Sequence, residues 1–396
     1  MYIKTFGEVD GRSLAQLKRC MEHGDADYGV LCADHHPGYS QPIGGAVAYE
    51  GYVSPSGVGF DIGCGNKAVC TDMTRSDLAN LGGVDTLMRK ITERISFGVG
   101  VPARERVDHP VLEKIRHAPF EPQRRLASLA ASQLGTVGSG NHYVNLMEDE
   151  QGHVWLGVHF GSRGFGHRTA AGFLALAQGL AFDAHAKEGG MDAPPVLLEV
   201  GSELGDSYIA AMELAGEYAY AGRDVVVDKV LEILSADARH EVHNHHNFAF
   251  SEEHFGRTYW VIRKGCTPAR PGQQGFVGGS MGDDSVILEA VESAEAENSL
   301  YSTVHGAGRV MSRTDAAGRM RRGKQVRSGK VDWPAVQTRL REQGIVLVGG
   351  GADEAPEVYK RLPEVLGAHA GSIRVLHTLR PLGVAMAGYD VRGRAS

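Results

Sequence analysis

Glycine constrains this chain more than any other residue type. There are 53 glycines among 396 residues, about twice the usual ~7% share. They are spread through the chain and not gathered into a flexible linker. Such a sequence is expected to turn tightly many times and to line its sites with backbone, because glycine adopts positive φ and lets other groups approach closely.

Between the turns, apolar periodicity predicts helices over residues 12–23, 206–235 and from Thr169 to Lys187. Short β-type runs lie at 154–158, 259–262 and 344–348. Strands that end in polar, Gly-rich loops, mixed with helices but without regular βαβ alternation, indicate an α+β fold with mixed or antiparallel sheets and surrounding helices. Candidate site residues run from position 34 to 313 with no internal repeat or low-complexity linker. A single compact catalytic domain over 1–396 is therefore expected.

Several Gly-rich blocks carry reactive side chains. His305-Gly306-Ala307-Gly308-Arg309 combines an imidazole nucleophile, a turn whose amides can approach an anion, and a guanidinium for phosphoryl charge. Phe60-Asp61-Ile62-Gly63-Cys64-Gly65 sets a carboxylate and a thiol three residues apart, so both can face one point. Gly138-Ser139-Gly140-Asn141-His142, then His159-Phe160-Gly161-Ser162-Arg163-Gly164 at a strand end, and His243-Asn244-His245-His246-Asn247 add imidazoles. Cys64 alone would read as a small buried hydrophobe, and any one of 18 histidines as a structural one. Their joint occurrence favours a metal site. One Asp, one Cys and three His exceed the needs of one tetrahedral ion, so two ions sharing a thiolate are expected.

These blocks, with Asp34-His35-His36-Pro37-Gly38, Arg263-Lys264-Gly265 and Gly279-Ser280-Met281-Gly282, occur in one order over nearly the whole chain. In that ordered set the sequence resembles the RtcB family of RNA-splicing ligases. The resemblance implies an enzyme that joins RNA 3′-phosphate or 2′,3′-cyclic phosphate ends to 5′-hydroxyl ends, using GTP and two Mn²⁺ ions. It assigns His305 as the nucleophile that carries GMP, and Asp61, Cys64, His142, His159 and His246 as metal ligands. His246 is preferred over His245 because it directly precedes Asn247. Manganese rests on the resemblance alone, since N/S ligands bind zinc more tightly. Asp34 is expected to hold the other nitrogen of His305 and fix its tautomer.

The same resemblance places nucleotide contacts at Asn141, Asn145, Asn247, Gly278, Gly279, Ser280, Met281, Ser285, Gly306, Ala307, Gly308 and Met386. RNA phosphates are expected at Arg163, Arg263, Lys264 and Arg309. Two positions depart from the family pattern: Asn145 stands where a glutamate is usual, and Met386 where a lysine is usual. Both would weaken recognition of guanine. A residue in the segment from Tyr389 to Ser396 could supply a substitute contact. A nucleotidyltransferase with altered nucleotide preference or 3′-phosphate end-capping output, and a non-catalytic RNA-end-binding protein, are the alternative readings.

A formal charge of -7 excludes an all-over basic coat, yet ten Lys/Arg against two Asp/Glu lie between Arg309 and Arg341. That stretch could follow a phosphate backbone. Five cysteines are too few and odd in number for a disulfide scaffold, which favours a reducing compartment. With no apolar leader in Met1–Val30 and no run of the ~20 apolar residues needed to span a bilayer, the expectation is a cytoplasmic monomer. It would act on RNA ends, with an accessory activator as a possible partner.

Overall fold

Two antiparallel-dominated sheets and one long helix position everything that follows. The computed structural model describes residues 1–185, 190–321 and 324–388, without the side chains of 320, 321, 324 and 325. The larger sheet has eight strands, with the path Gln274–Val277, Ser285–Ala290, Ile373–Gly388, Tyr143–Glu148, His153–Phe160, Gly65–Thr74, Ala238–His245, and Val346–Gly350 beside the third. The smaller has five, in the order Tyr2–Thr5, Tyr28–His36, Ile43–Tyr49, Arg257–Lys264, Asn247–His254. Parallel pairing occurs where Tyr2–Thr5 meets Tyr28–His36 and where Val346–Gly350 meets Ile373–Gly388. The α+β expectation holds.

Period-two alternation divides the large sheet into two faces. Val144, Leu146, Leu156 and Val158 pack on Val226, Val230 and Leu234 of the helix Glu203–Leu234, and on Leu87 and Ile91 of the helix Gly83–Arg94. On the opposite face Tyr143, Met147, Trp155 and Met386 join Phe276, Met281 and Leu340. The functional cavity opens on this second face.

The three helices are present with shifted ends. Gly11–His23 is capped by Asp10, whose carboxylate accepts from Ser13 N. The long helix starts at Glu203 because Ser202 accepts from Gly205 N, and it ends at Ser235 in a left-handed turn. The third spans Arg163–Leu176 instead of 169–187. Gly164 and Gly166 hide its first turn from a propensity reading, and Gly179, at φ +71°, follows its end; Lys187 lies outside the described residues. The strand expected at 344–348 runs Val346–Gly350, since Gly344 closes the turn after the helix Trp333–Glu342.

Candidate active site and metal centre

His305 follows the short strand Ser302–Val304, and Asp34 is buried in Tyr28–His36. His305 Nδ1 lies 2.6 Å from Asp34 Oδ2, which also accepts from the backbone N–H of His305 at 2.9 Å. Burial alone would raise the Asp34 carboxyl, but the charge and hydrogen bonds of His305 win and hold it below its usual range. An ionised Asp34 accepts a hydrogen bond from Nδ1–H, which selects the tautomer whose Nε2 lone pair is free. The turn beneath is closed by Gly308 at φ +77°, where a Cβ would meet Asp34 O at 2.0 Å.

Beside His305 lie the ligand-type side chains. Two trios of donor atoms, Cys64–His159–His246 and Asp61–Cys64–His142, each fall within 4.8 Å, and they share Cys64. Cys64 Sγ is 3.3 Å from His159 Nε2 and 3.7 Å from His142 Nε2, while Asp61 Oδ2 is 3.1 Å from His142 Nε2. The backbone builds this meeting: Cys64 N donates to Asp61 O, His246 N to Cys64 O, and Gly63 N to Asn247 O. His142 Nδ1 sits 3.1 Å from Val137 O and 3.2 Å from Arg163 Nη1. Donation to the carbonyl is the assignment that leaves Nε2 open toward the other ligands.

Burial pushes His159 and His246 well below the usual imidazole range, so both are neutral with lone pairs available. Burial and the Asp61 charge push the Cys64 thiol up. Burial would also raise Asp61, but His142 and Arg163 carry it down to about 2. Neutral imidazoles, an ionised carboxylate and a thiol that a cation would deprotonate fit a metal centre. A third trio, Cys70–Asp149–His153, does not: Asp149 already accepts from Gln151 N, His153 N and Trp155 Nε1, closing its hairpin.

A cavity of about 300 Å³ adjoins the centre. Of the expected nucleotide contacts, Asn141, Asn145, Gly278, Gly279, Ser280, Met281, Gly306, Ala307, Gly308 and Met386 line it. Ser285 stands behind the wall, its Oγ accepting from Gly279 N at 3.1 Å. Asn247 holds the metal loop, accepting from Gly265 N and donating to Asp61 O. Sequence reasoning missed Asn66, Tyr143, Glu354 and Tyr359, which also line the cavity, together with Arg313 of the basic stretch. The run Gly349-Gly350-Gly351 before Asp353-Glu354 was a usable signal, and so was Tyr143, two residues from Asn145 on one strand face. Tyr143 Oη and Asn145 Oδ1 are buried without a hydrogen-bond partner, as expected for a wall that awaits a ligand.

The expected RNA-contacting cations divide. Arg163, half-buried, lies beside His142, and Arg309 lines the cavity but pairs with Glu354 and donates to Asp353 O. Lys264 donates to Tyr39 O and Ser56 O, and burial pushes its ammonium down to about 8. Arg263 is not placed for RNA: fully buried, it grips Glu252, Ser302 Oγ and Leu300 O. In the basic stretch Arg313 pairs with Asp353 and Glu354, Arg327 with Asp315, and Arg339 with Glu357. Arg322 and the segment from Tyr389 onward lie outside the described residues.

An α+β fold with a histidine–carboxylate pair beside a largely buried Cys/His/Asp centre defines a class, and the comparisons give its family. The family model described as tRNA-splicing ligase RtcB matches residues 16–387. The chain is 31% identical to the RNA-splicing ligase RtcB of Escherichia coli, covering 89% of this chain and 88% of the relative. It is also 31% identical to the tRNA-splicing ligase RtcB of Archaeoglobus fulgidus over 90% and 87%, and 29% identical to that of Thermococcus kodakarensis over 94% and 91%. The chain belongs to the RtcB family of RNA ligases and is an enzyme.

Proposed function

We propose that this single catalytic unit joins RNA 3′-phosphate ends to 5′-hydroxyl ends through a covalent nucleotide on His305, with GTP as donor. The carrying observation is the 2.6 Å contact between Asp34 Oδ2 and His305 Nδ1, beside the two trios that share Cys64. His305 Nε2 attacks the α-phosphorus; the P–N bond forms and pyrophosphate leaves. The RNA 3′-phosphate takes the nucleotidyl group, breaking P–N, and the 5′-hydroxyl then displaces GMP as the new phosphodiester forms. A cyclic end must first be opened by water. Asp61, Cys64, His142, His159 and His246 would hold two Mn²⁺ ions, which supply charge neutralisation at the phosphoryl groups. Asp34 orients the ring by accepting from Nδ1–H, so that Nε2 is the nitrogen offered for attack, and the Gly306-Ala307-Gly308 turn and Ser280 suit the phosphates.

Five free, buried thiols support a reducing compartment, and among the described residues no helix is long and apolar enough to cross a membrane. A cytoplasmic monomer acting on RNA ends, with or without an accessory activator, is the accompanying reading.

A second reading keeps the chemistry and changes the base. Asn145 presents a carboxamide, and its neighbours on the adjoining strand are Val384 and Met386. One amide offers a single acceptor and a paired donor, so guanine's 2-amino group would lack the acceptor that a carboxylate supplies. One experiment tests both: incubation with Mn²⁺ and each α-labelled NTP in turn, with His305→Ala as control. An acid-labile, alkali-stable adduct from GTP alone supports the first reading, and preference for another NTP supports the second. No adduct with any metal overturns both in favour of a non-catalytic RNA-end binder.

A further inference from the structure

Arg223, in the middle of the long helix Glu203–Leu234, is fully buried. A buried guanidinium costs several kcal/mol unless it is paired and hydrogen-bonded. Among the described residues no carboxylate pairs with it directly. Its partners are Gly63 O at 2.9 Å and Phe160 O at 2.6 Å from Nη1, His243 Nε2 at 2.8 Å from Nε, and His245 Nδ1 at 3.2 Å from Nη2.

Those partners have one thing in common. Gly63 lies between Asp61 and Cys64, Phe160 follows His159, and His245 precedes His246. One rigid fork thus touches the immediate neighbours of three of the five proposed metal ligands, Cys64, His159 and His246, on three separate segments of chain, and Asp61 lies two residues from Gly63 on the first of them. Only the His142 loop is outside its reach. A lysine ammonium is a point donor and cannot span these acceptors at once. The fork is itself oriented from behind: His243 accepts from Arg223 through Nε2, and its Nδ1 lies 3.4 Å from Asp224 Oδ1. Asp224 is tied to Lys67, which also pairs with Glu241. The imidazole of His243 therefore connects the buried guanidinium to a half-exposed carboxylate.

We propose that Arg223 is a positioning residue for the metal centre, pinning the three ligand-bearing segments at the spacing that two ions need. This rests on the metal reading of the site. It adds a residue that touches neither metal ligand side chains nor the nucleotide cavity, and acts through the carbonyls of Gly63 and Phe160 and the ring of His245. Groups that orient metal ligands typically change metal affinity about ten- to a hundredfold when mutated.

The test is Mn²⁺ binding to the full-length, metal-stripped protein, followed by electron paramagnetic resonance and calorimetry, for the parent, Arg223→Lys and His243→Gln. Far-UV circular dichroism and the metal-free melting temperature are recorded for each. The expected result is Mn²⁺ affinity about ten- to a hundredfold lower in Arg223→Lys and a smaller loss in His243→Gln. Arg223→Lys should lower the metal-free melting temperature, His243→Gln less so, but at a temperature where each variant is fully folded the affinity loss should persist and the spin-coupled signal of a two-ion centre should weaken. His243→Gln also serves if Arg223→Lys fails to fold. Parent-like affinity in the folded variants, or an affinity loss that only tracks lost metal-free stability, overturns the proposal. A parent that binds no divalent ion overturns the metal reading and this inference together.

Discussion

At Gly308 there is no room for a methyl group. The backbone is at φ +77°, and a Cβ would lie 2.0 Å from the carbonyl oxygen of Asp34. Gly308→Ala thus adds left-handed strain of roughly 1–2 kcal/mol to a clash that must push Asp34 or the His305 turn aside. The expected outcome is a folded protein by circular dichroism with nucleotide-adduct formation reduced at least tenfold. Parent-like adduct rates would show that the turn tolerates displacement. Asp34→Asn tests the charge at the same place. The amide can offer N–H to Nδ1 and so stabilise the tautomer protonated at Nε2, the wrong nitrogen for attack. Where a carboxylate orients a catalytic histidine, that change has cost about 10⁴ in rate, and a loss of at least about 10² is expected here. A quench-flow measurement of adduct formation decides it, and a loss below about tenfold would remove Asp34 from its role. Gly308 was readable from sequence because its block announces a turn, whereas Asp34 lies inside the strand Tyr28–His36 and its role was legible only through the family resemblance.

The hairpin Asn247–His254 with Arg257–Lys264 shows what was not readable. Lys264 and Arg263 look alike in the sequence, as adjacent cations in one block. Strand alternation sends them to opposite faces; the register sets Arg263 opposite Phe248, and only the folded side chains show that it reaches along that face to Glu252, with Nη1–Oε1 at 2.7 Å and Nη2–Oε2 at 3.0 Å. The same blindness hid Arg223, whose partners arrive from segments as much as 160 residues away. By contrast, Asp61, Cys64, His142 and His305 stood out because they sit in Gly-rich turns, while Asp34, His159 and His246, in or between strands, were legible through the ordered blocks of the family resemblance. The Glu252–Arg263 pair carries an acid prediction. Burial would raise Glu252, but Arg263 and His254 bring it from 4.5 down to about 2. A depressed folded value means the unfolded chain binds the proton more readily, so stability is full above about pH 4.5 and falls toward pH 2. Urea unfolding across that window should show this loss. Glu252→Gln should flatten that part of the acid profile. At neutral pH it should destabilise by about 3–5 kcal/mol, because Arg263 is left buried without its counter-charge. An unchanged acid profile in the variant would assign the acid sensitivity to other carboxylates.

At the scale of the molecule, the proposed ligands tie distant parts of the chain to one point. Asp61 and Cys64 precede the strand Gly65–Thr74, His142 precedes Tyr143–Glu148, His159 ends His153–Phe160, and His246 joins the large sheet to the small one. None of these donors is brought together in an unfolded chain, so an ion that binds here stabilises the native state by mass action. At one hundred times the dissociation constant the gain is about 2.7 kcal/mol. With an unfolding entropy near 2.1 cal/mol/K per residue, 396 residues give about 0.8 kcal/mol/K if unfolding is cooperative. Saturating Mn²⁺ should then raise the melting temperature by about 3 °C for each bound ion, about 6 °C for two, over the chelated protein. Cys64→Ser removes the donor that both trios share while keeping its size, so its metal-free melting should stay near the parent's. The Mn²⁺ shift should fall to less than half, because each ion loses a ligand. Differential scanning calorimetry with and without chelator measures both quantities. An equal shift in Cys64→Ser and parent would place the bound ion away from Cys64, and with it the bridging role that joins the two trios into one centre.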